Sequence, residues 1–237
     1  MIVKYFTKKI IRLKNSSKIL KLLYYYHYLF HDKKLGNIGF DFTSKKKRFE
    51  IIQNIIEKKN YTKYLEIGCF DDELFDYIKC EKKVGVDPVS GGTIRATSDQ
   101  FFKNNKDNFD CVFIDGLHEY HQVKKDIENS LRFLNKDGII LLHDCLPNNY
   151  YEQATPRCQW VWNGDVWKAI VECRKSKDLD VYTCYADFGI GVIFKRPNQN
   201  LLNYPKNNFA NLKFEDYFKD NKKMMNIIEF DQLMKII

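Results

Sequence analysis

No stretch of this 237-residue chain approaches the roughly 18 uninterrupted apolar residues that crossing a bilayer as a helix requires. The first thirty residues are basic and partly apolar, but Lys18 and Lys21 interrupt them and no small-residue cleavage site follows, so no secretory leader is expected. The seven cysteines contain no C-x-x-C pair and are odd in number, against both a disulfide framework and a zinc knuckle. A reducing, cytoplasmic setting is the expectation. No period of 20 to 50 residues repeats, which excludes a solenoid. What the chain has in quantity is apolar and aromatic residues, 44% and 15%, enough to bury a full core.

Its net charge of +8 is unevenly placed. Residues 1–63 carry 16 Lys/Arg against 4 Asp/Glu, a balance of +12, while the rest carries 23 against 27, a balance of −4. A nucleic-acid enzyme usually carries its positive charge around the active site. Here the central part of the chain is acidic, so nucleic acid is not the expected partner. The basic excess reads first as a solvated face, with weak peripheral contact with a membrane surface left open.

Glycine is scarce where a dinucleotide-binding turn would need it. Tyr64-Leu65-Glu66-Ile67 is a short apolar strand that runs into Gly68-Cys69-Phe70-Asp71-Asp72-Glu73, with one glycine in place of G-x-G-x-x-G. Pyrophosphate needs several glycines for close backbone approach, and Asp71, Asp72 and Glu73 would repel it. About twenty residues on, Val84-Gly85-Val86-Asp87 ends a second strand in an acid, at the spacing of a carboxylate that grips ribose. A ligand with ribose and adenine, no phosphate and a positive charge fits both strand ends. S-adenosylmethionine is such a ligand, and NAD is not.

Periodicity predicts strands over Lys63–Gly68, Lys83–Asp87, Ile94–Thr97, Phe109–Asp115 and Ile139–Leu142, then a hairpin of Leu179–Asp187 and Gly189–Lys195. Helices are expected over residues 4–31, over Lys45–Lys58 with Ser44 as cap, from Ser98 as cap, over Tyr120–Leu134 and over Asp165–Arg174. This alternation specifies an α/β fold: a doubly wound, mostly parallel seven-stranded sheet with a C-terminal antiparallel hairpin and an N-terminal helical extension. Three segments are expected: a basic helical extension over 1–60, a cofactor-binding domain over 61–197, and a mainly helical C-terminal extension over 198–237.

Three further motifs stand at strand ends and a helix start: Phe113-Ile114-Asp115-Gly116-Leu117-His118, Leu142-His143-Asp144-Cys145 and Asn163-Gly164-Asp165-Val166-Trp167-Lys168. With them, the chain from about Tyr61 to Arg196 resembles class I S-adenosylmethionine-dependent methyltransferases. The resemblance implies that Glu66, Gly68, Cys69 and Phe70 form the cofactor loop with Asp115 beside it, and that Asp87 holds the ribose. It places Ser98 and Asp99 near the adenine. Asp87 could instead only shape a turn, and Ser98 could be no more than a helix cap.

Methyl transfer to an alcohol needs alignment of donor and acceptor, and a base or a metal to take the proton. Asp115, His118 and His143 are the candidate catalytic residues. Metal-dependent O-methyltransferases carry acids at the corresponding strand ends, so Asp115, His143 and Asp144 could hold Mg²⁺ or Mn²⁺. In the metal-free alternative His118 or His143 is the base. His121 is expected at the surface. Within the loop after Cys145, Arg157, Trp160 and Trp162 are candidate acceptor contacts, through ring stacking and a guanidinium grip on an anion.

The expected activity is O-methylation of a sugar, glycan or other small hydroxylated acceptor, in a chain that could form a homo-oligomer. The alternatives are an RNA or other macromolecule methyltransferase, a cofactor-binding module without catalysis, and, third, a dehydrogenase.

Overall fold

A computed structural model describes residues 16–237. Its centre is a seven-stranded sheet in the order β2-β1-β3-β4-β6-β5-β7. Strands β1 (Lys63–Ile67), β2 (Lys82–Val86), β3 (Phe109–Ile114) and β4 (Leu134–Leu142) run parallel. Then β6 (Ile190–Phe194) pairs antiparallel with both β4 and β5 (Asp180–Cys184), and β7 (Ile227–Ile228) lies parallel to β5 at the edge.

Both faces of the sheet are covered, which is why its strands are continuous apolar runs rather than alternating ones. Leu65, Ile67, Val112, Ile114, Ile140 and Leu142 face one buried layer, with α4 (Ser98–Asn104), α5 (Tyr120–Arg132), α7 (Trp167–Cys173) and α8 (Phe214–Met225). Tyr64, Cys111, Phe113, Ile139 and Leu141 face the other, against α2 (Arg48–Lys59), α3 (Glu73–Tyr77) and α9 (Phe230–Ile236). Successive residues of one strand thus serve opposite layers, as the two-residue strand period dictates. The four isoleucines of α2, at 51, 52, 55 and 56, are all buried in the second layer.

The α/β class, the parallel core and the antiparallel hairpin are as the sequence predicts. Several local expectations are corrected. Ile94–Thr97 is not a strand; only Ile94 makes a single bridge to Val86. That bridge consists of the Ile94 N–H to the Gly85 carbonyl and the Asp87 N–H to the Ile94 carbonyl, and the Ala96 N–H then turns back to the Ile94 carbonyl, so the ladder goes no further. The seventh strand is β7, far along the chain. Ser44 does not cap α2, which begins at Arg48 with the Glu50 carboxylate accepting the Lys47 N–H. Likewise Thr97, not Ser98, caps α4, its hydroxyl accepting from the Gln100 N–H.

Helix α1 (Ser16–Phe30) covers the described part of the expected N-terminal helix; residues 4–15 of it lie outside the described residues. It rests on the loop after β4. His27 is buried between the Tyr150 hydroxyl and the Pro156 carbonyl, 3.0 Å from each, and Tyr24 stacks on Tyr151 at 4.3 Å. Among the described residues no helix is long and apolar enough to cross a membrane.

Candidate active site

The carboxyl ends of β1, β3 and β4 lie side by side because hydrogen bonding continues beyond the strands. The Gly68 N–H donates to the Val86 carbonyl, the Asp115 N–H to Ile67 and the His143 N–H to Ile114. Gly68 has φ +93°, and a Cβ there would lie 2.3 Å from the Asp115 carbonyl oxygen. A glycine is therefore obligatory for the β1 turn to pass over the β3 turn. Beyond these ends opens a cavity of about 520 Å³, lined by Glu66, Gly68, Cys69, Phe70, Asp87, Asp115, His118, His143, Asp144 and the 156–162 loop. This is where open α/β sheets bind ligands.

Its floor is a charge cluster. His118 is clasped by two carboxylates, Nε2 lying 3.0 Å from Asp115 Oδ1 and Nδ1 lying 3.1 Å from Asp144 Oδ2. His143 Nδ1 reaches the same two oxygens at 3.5 and 3.4 Å. Burial disfavours a charged ring, but the Asp144 and Asp115 carboxylates outweigh it, so both imidazoles are held above their ordinary pKa. Burial would raise Asp115, yet His143 and His118 hold it well below the usual carboxylate range.

The Asn-Gly-Asp motif holds this cluster together. Asn163 Nδ2 donates to Asp144 Oδ1 at 3.0 Å, and the Asp165 N–H donates to the His118 carbonyl. Gly164 packs so closely that a Cβ would sit 1.7 Å from the His118 carbonyl oxygen. The Trp162 ring stacks on His118, with centroids 5.4 Å apart and planes 17° apart. Among the described residues, ligand atoms of Asp115, His118 and Asp144 all lie within 4.8 Å of one another, a group that holds His118 and not the expected His143. His121 is exposed beside Tyr120 and takes no part.

Two charged residues tied to this site escaped the sequence reading. Arg48, at the start of α2, lines the cavity and pairs with Asp187 at 3.3 Å, while Asp187 Oδ2 lies 3.6 Å from His143 Nε2. Burial would raise Asp187, but His143 and Arg48 pull its pKa down to about 2. Arg48 is one cation in a basic segment, so no local pattern marks it. Asp187 sits in the β5–β6 connection at φ 41°, which an acid just before a buried strand could have suggested.

Glu66 is buried with Tyr64 donating to it at 2.7 Å, and burial lifts its pKa to about 7. Asp87 does shape a turn, its Oδ1 accepting from the Val89 and Ser90 N–H groups; Oδ2 accepts from the Phe70 N–H at 3.2 Å. Ser98 and Asp99 do not line the cavity. They meet α5, where Gln122 Nε2 donates to both and Lys125 pairs with Asp99. Arg157 braces its own loop, donating to the Gln159 and Trp160 carbonyls, while the Trp160 ring is 62% exposed at the cavity mouth.

Residues 65–145 match a family model described as a methyltransferase domain, a span that runs from β1 through the Asp115 and His143-Asp144 strand ends. Over that span the chain is similar to methyltransferase domains. Its fold is similar to those of solved structures, a methyltransferase among them. One is PaMTH1 of Podospora anserina in its S-adenosylhomocysteine-bound form, 15% identical, with a TM-score of 0.50 over 64% of this chain and 80% of that one. Another is a cofactor-bound protein from MTB, 11% identical, with a TM-score of 0.50 over 83% of this chain and 97% of that one. An O-methyltransferase of Bacillus cereus, 10% identical over 82% of this chain and 98% of that one, has a TM-score of 0.48. No curated protein matches the sequence significantly. The cavity's size and its lining acids, among them Glu66, Asp71, Asp87, Asp115 and Asp144, suit a small cationic ligand.

Glu66 makes the domain's stability pH-dependent. A carboxyl whose pKa rises from 4.5 to about 7 on folding costs stability increasingly as pH climbs between those values. Above the upper value the cost is about 3 kcal/mol, at 1.36 kcal/mol per pKa unit. Glu66→Gln keeps an acceptor for Tyr64 and removes the charge, so urea denaturation should show a stability gain at pH 8 and little change at pH 4.5. An equal change at both pH values would contradict this account.

Proposed function

We propose that the domain methylates a hydroxyl group of a small acceptor, with a sugar or glycan favoured over a phenol. The observation that carries this reading is His118 held between Asp115 and Asp144 at the cavity floor. An alcohol must shed a proton as it is methylated, and these groups are the ones in the cavity able to receive it or lower its cost. Bound S-adenosylmethionine supplies the electrophilic methyl group.

The chain's own residues divide the remaining work. Asp87 Oδ2 offers the ribose hydroxyls an acceptor while Oδ1 keeps the loop in place. Glu66 and Asp115 give the aminopropyl end a negative surround. Arg48 is the cation for its carboxylate, being the lining guanidinium on the β1 side that pairs with Asp187. The exposed face of Trp160 suits stacking on a sugar ring.

Two hard carboxylate oxygens and an imidazole also fit a divalent ion, which would be held by Asp115, His118 and Asp144 and would lower the acceptor hydroxyl's pKa. Without an ion, the neutral form of His118 is the base, and because the two carboxylates raise its pKa that form gains ground only as pH rises. A panel of hydroxylated acceptors, assayed for methyl transfer with and without EDTA, tests the proposal. Transfer to amines but never to alcohols would overturn it.

Arg48→Ala should weaken S-adenosylhomocysteine binding by about tenfold, since a charge-assisted hydrogen bond contributes roughly 1.5–3 kcal/mol. The same variant should bind 5′-methylthioadenosine, which lacks the amino-acid portion, as the parent does. Calorimetry with both ligands separates this from general damage to the site, which would weaken both.

A further inference from the structure

Helix α1 has one face on the protein and one with no partner among the described residues. Leu20, Leu23 and His27, one turn apart, face the body, and His27 is tied to Tyr150 and Pro156. On the opposite side Leu22, Tyr25 and Leu29 form an exposed stripe, the two leucines each 69% exposed. Lys18 continues the stripe one turn earlier and Lys21 flanks it, with Lys33 and Lys34 just beyond the helix; all four are exposed. Exposed large apolar side chains on three successive turns are unusual for a face that meets only water.

We propose that this outer face of α1 docks the protein on an anionic lipid surface. The charge pattern selects that occupant. From Met1 to His31 the sequence holds seven Lys/Arg (Lys4, Lys8, Lys9, Arg12, Lys14, Lys18 and Lys21) and no Asp or Glu. The first acid, Asp32, is engaged by the Tyr151 hydroxyl at 2.6 Å. A second copy docking face to face would bring the same uncompensated cations against these, so self-association through α1 is disfavoured. Nucleic acid would match the cations but leave Leu22 and Leu29 without an apolar partner. Lys, Tyr and Leu together on one helix face suit the headgroup boundary, where apolar side chains insert and cations meet acidic headgroups. Because α1 is fastened to the 150–157 loop, and Pro156 and Arg157 of that loop line the methyl-transfer cavity, the docking helix and the acceptor side of the cavity are joined through that loop.

The full-length protein should co-sediment with vesicles containing about one third phosphatidylglycerol and not with pure phosphatidylcholine vesicles, with binding that weakens as salt rises. Leu22→Ser/Tyr25→Ser/Leu29→Ser alters only outward side chains and should reduce vesicle binding at least about tenfold, while S-adenosylhomocysteine affinity stays at the parent value. Lys18→Gln/Lys21→Gln should flatten the salt dependence. Equal binding of parent and triple variant, or no binding to the anionic vesicles at low salt, would overturn the proposal. So would RNA binding that the triple variant retains in a protein that ignores vesicles, or a dimer in sedimentation that the triple variant breaks without any vesicle binding.

Discussion

Gly68→Ala should destabilise the protein strongly. The added methyl would sit 2.3 Å from the Asp115 carbonyl oxygen and 2.7 Å from the Gly116 Cα, both backbone atoms that no rotamer change can move. The residue would also have to hold φ +93°, which an L side chain rarely adopts. Strain and overpacking together come to roughly 3–5 kcal/mol, a large part of the 5–15 kcal/mol that keeps a typical domain folded. At about 2–4 °C per kcal/mol for a chain of this size, the melting temperature should fall by about 10 °C or more. Gly36→Ala is the control. It also has a positive φ, +82°, but nothing lies within 4 Å of a Cβ there, so it should lose only about 1 kcal/mol. If the two variants melt together, the crossing of the β1 and β3 turns is not what makes glycine necessary at position 68.

The largest effect on catalysis is expected at Asp144. Asp144→Asn keeps the side chain's shape and can still accept from Asn163, but it removes one of the two carboxylates that clasp His118. Methyl transfer should fall by about 10²-fold or more, the usual scale for losing a positioned acid–base partner. S-adenosylhomocysteine affinity should change by less than about threefold, since Asp144 removes no direct cofactor contact in the proposed arrangement. EDTA then divides the two versions of the chemistry. If a divalent ion works at Asp115, His118 and Asp144, the chelator abolishes turnover and Mg²⁺ or Mn²⁺ restores it. If His118 acts alone, the chelator changes nothing and His118→Ala is inactive. Full activity of Asp144→Asn would remove the cluster from the mechanism altogether.

The strand ends that carry Gly68, Asp87, Asp115 and His143-Asp144 were legible in the sequence, because each follows a short apolar run whose burial on both faces leaves a distinct pattern. The Asn163-Gly164-Asp165 motif was legible as a resemblance, but its work was not: it ties down Asp144 and the His118 backbone from a loop about twenty residues beyond Asp144. Ser98 and Asp99 were expected near the adenine from their place after a strand, but their contacts with Gln122 and Lys125 on α5 were not legible. Side-chain direction at a helix start depends on what packs beside it, which spacing along the chain does not encode.

What the sequence determined by itself, then, is most of the order of strands and helices, the parallel core closed by a hairpin, and four chemically distinctive strand ends. Local periodicity suffices for these, since burial on one or two faces repeats every two residues in a strand or nearly four in a helix. Only the tertiary structure decided that the further strand is Ile227–Ile228 beside β5 rather than Ile94–Thr97 beside β2, because the chain turns back after Ile94, its Ala96 N–H going to the Ile94 carbonyl instead of to β2. Only the tertiary structure brought Arg48 to Asp187 and His143, since an ion pair spanning 139 residues is set by how α2 packs on the sheet and by nothing in either residue's neighbourhood.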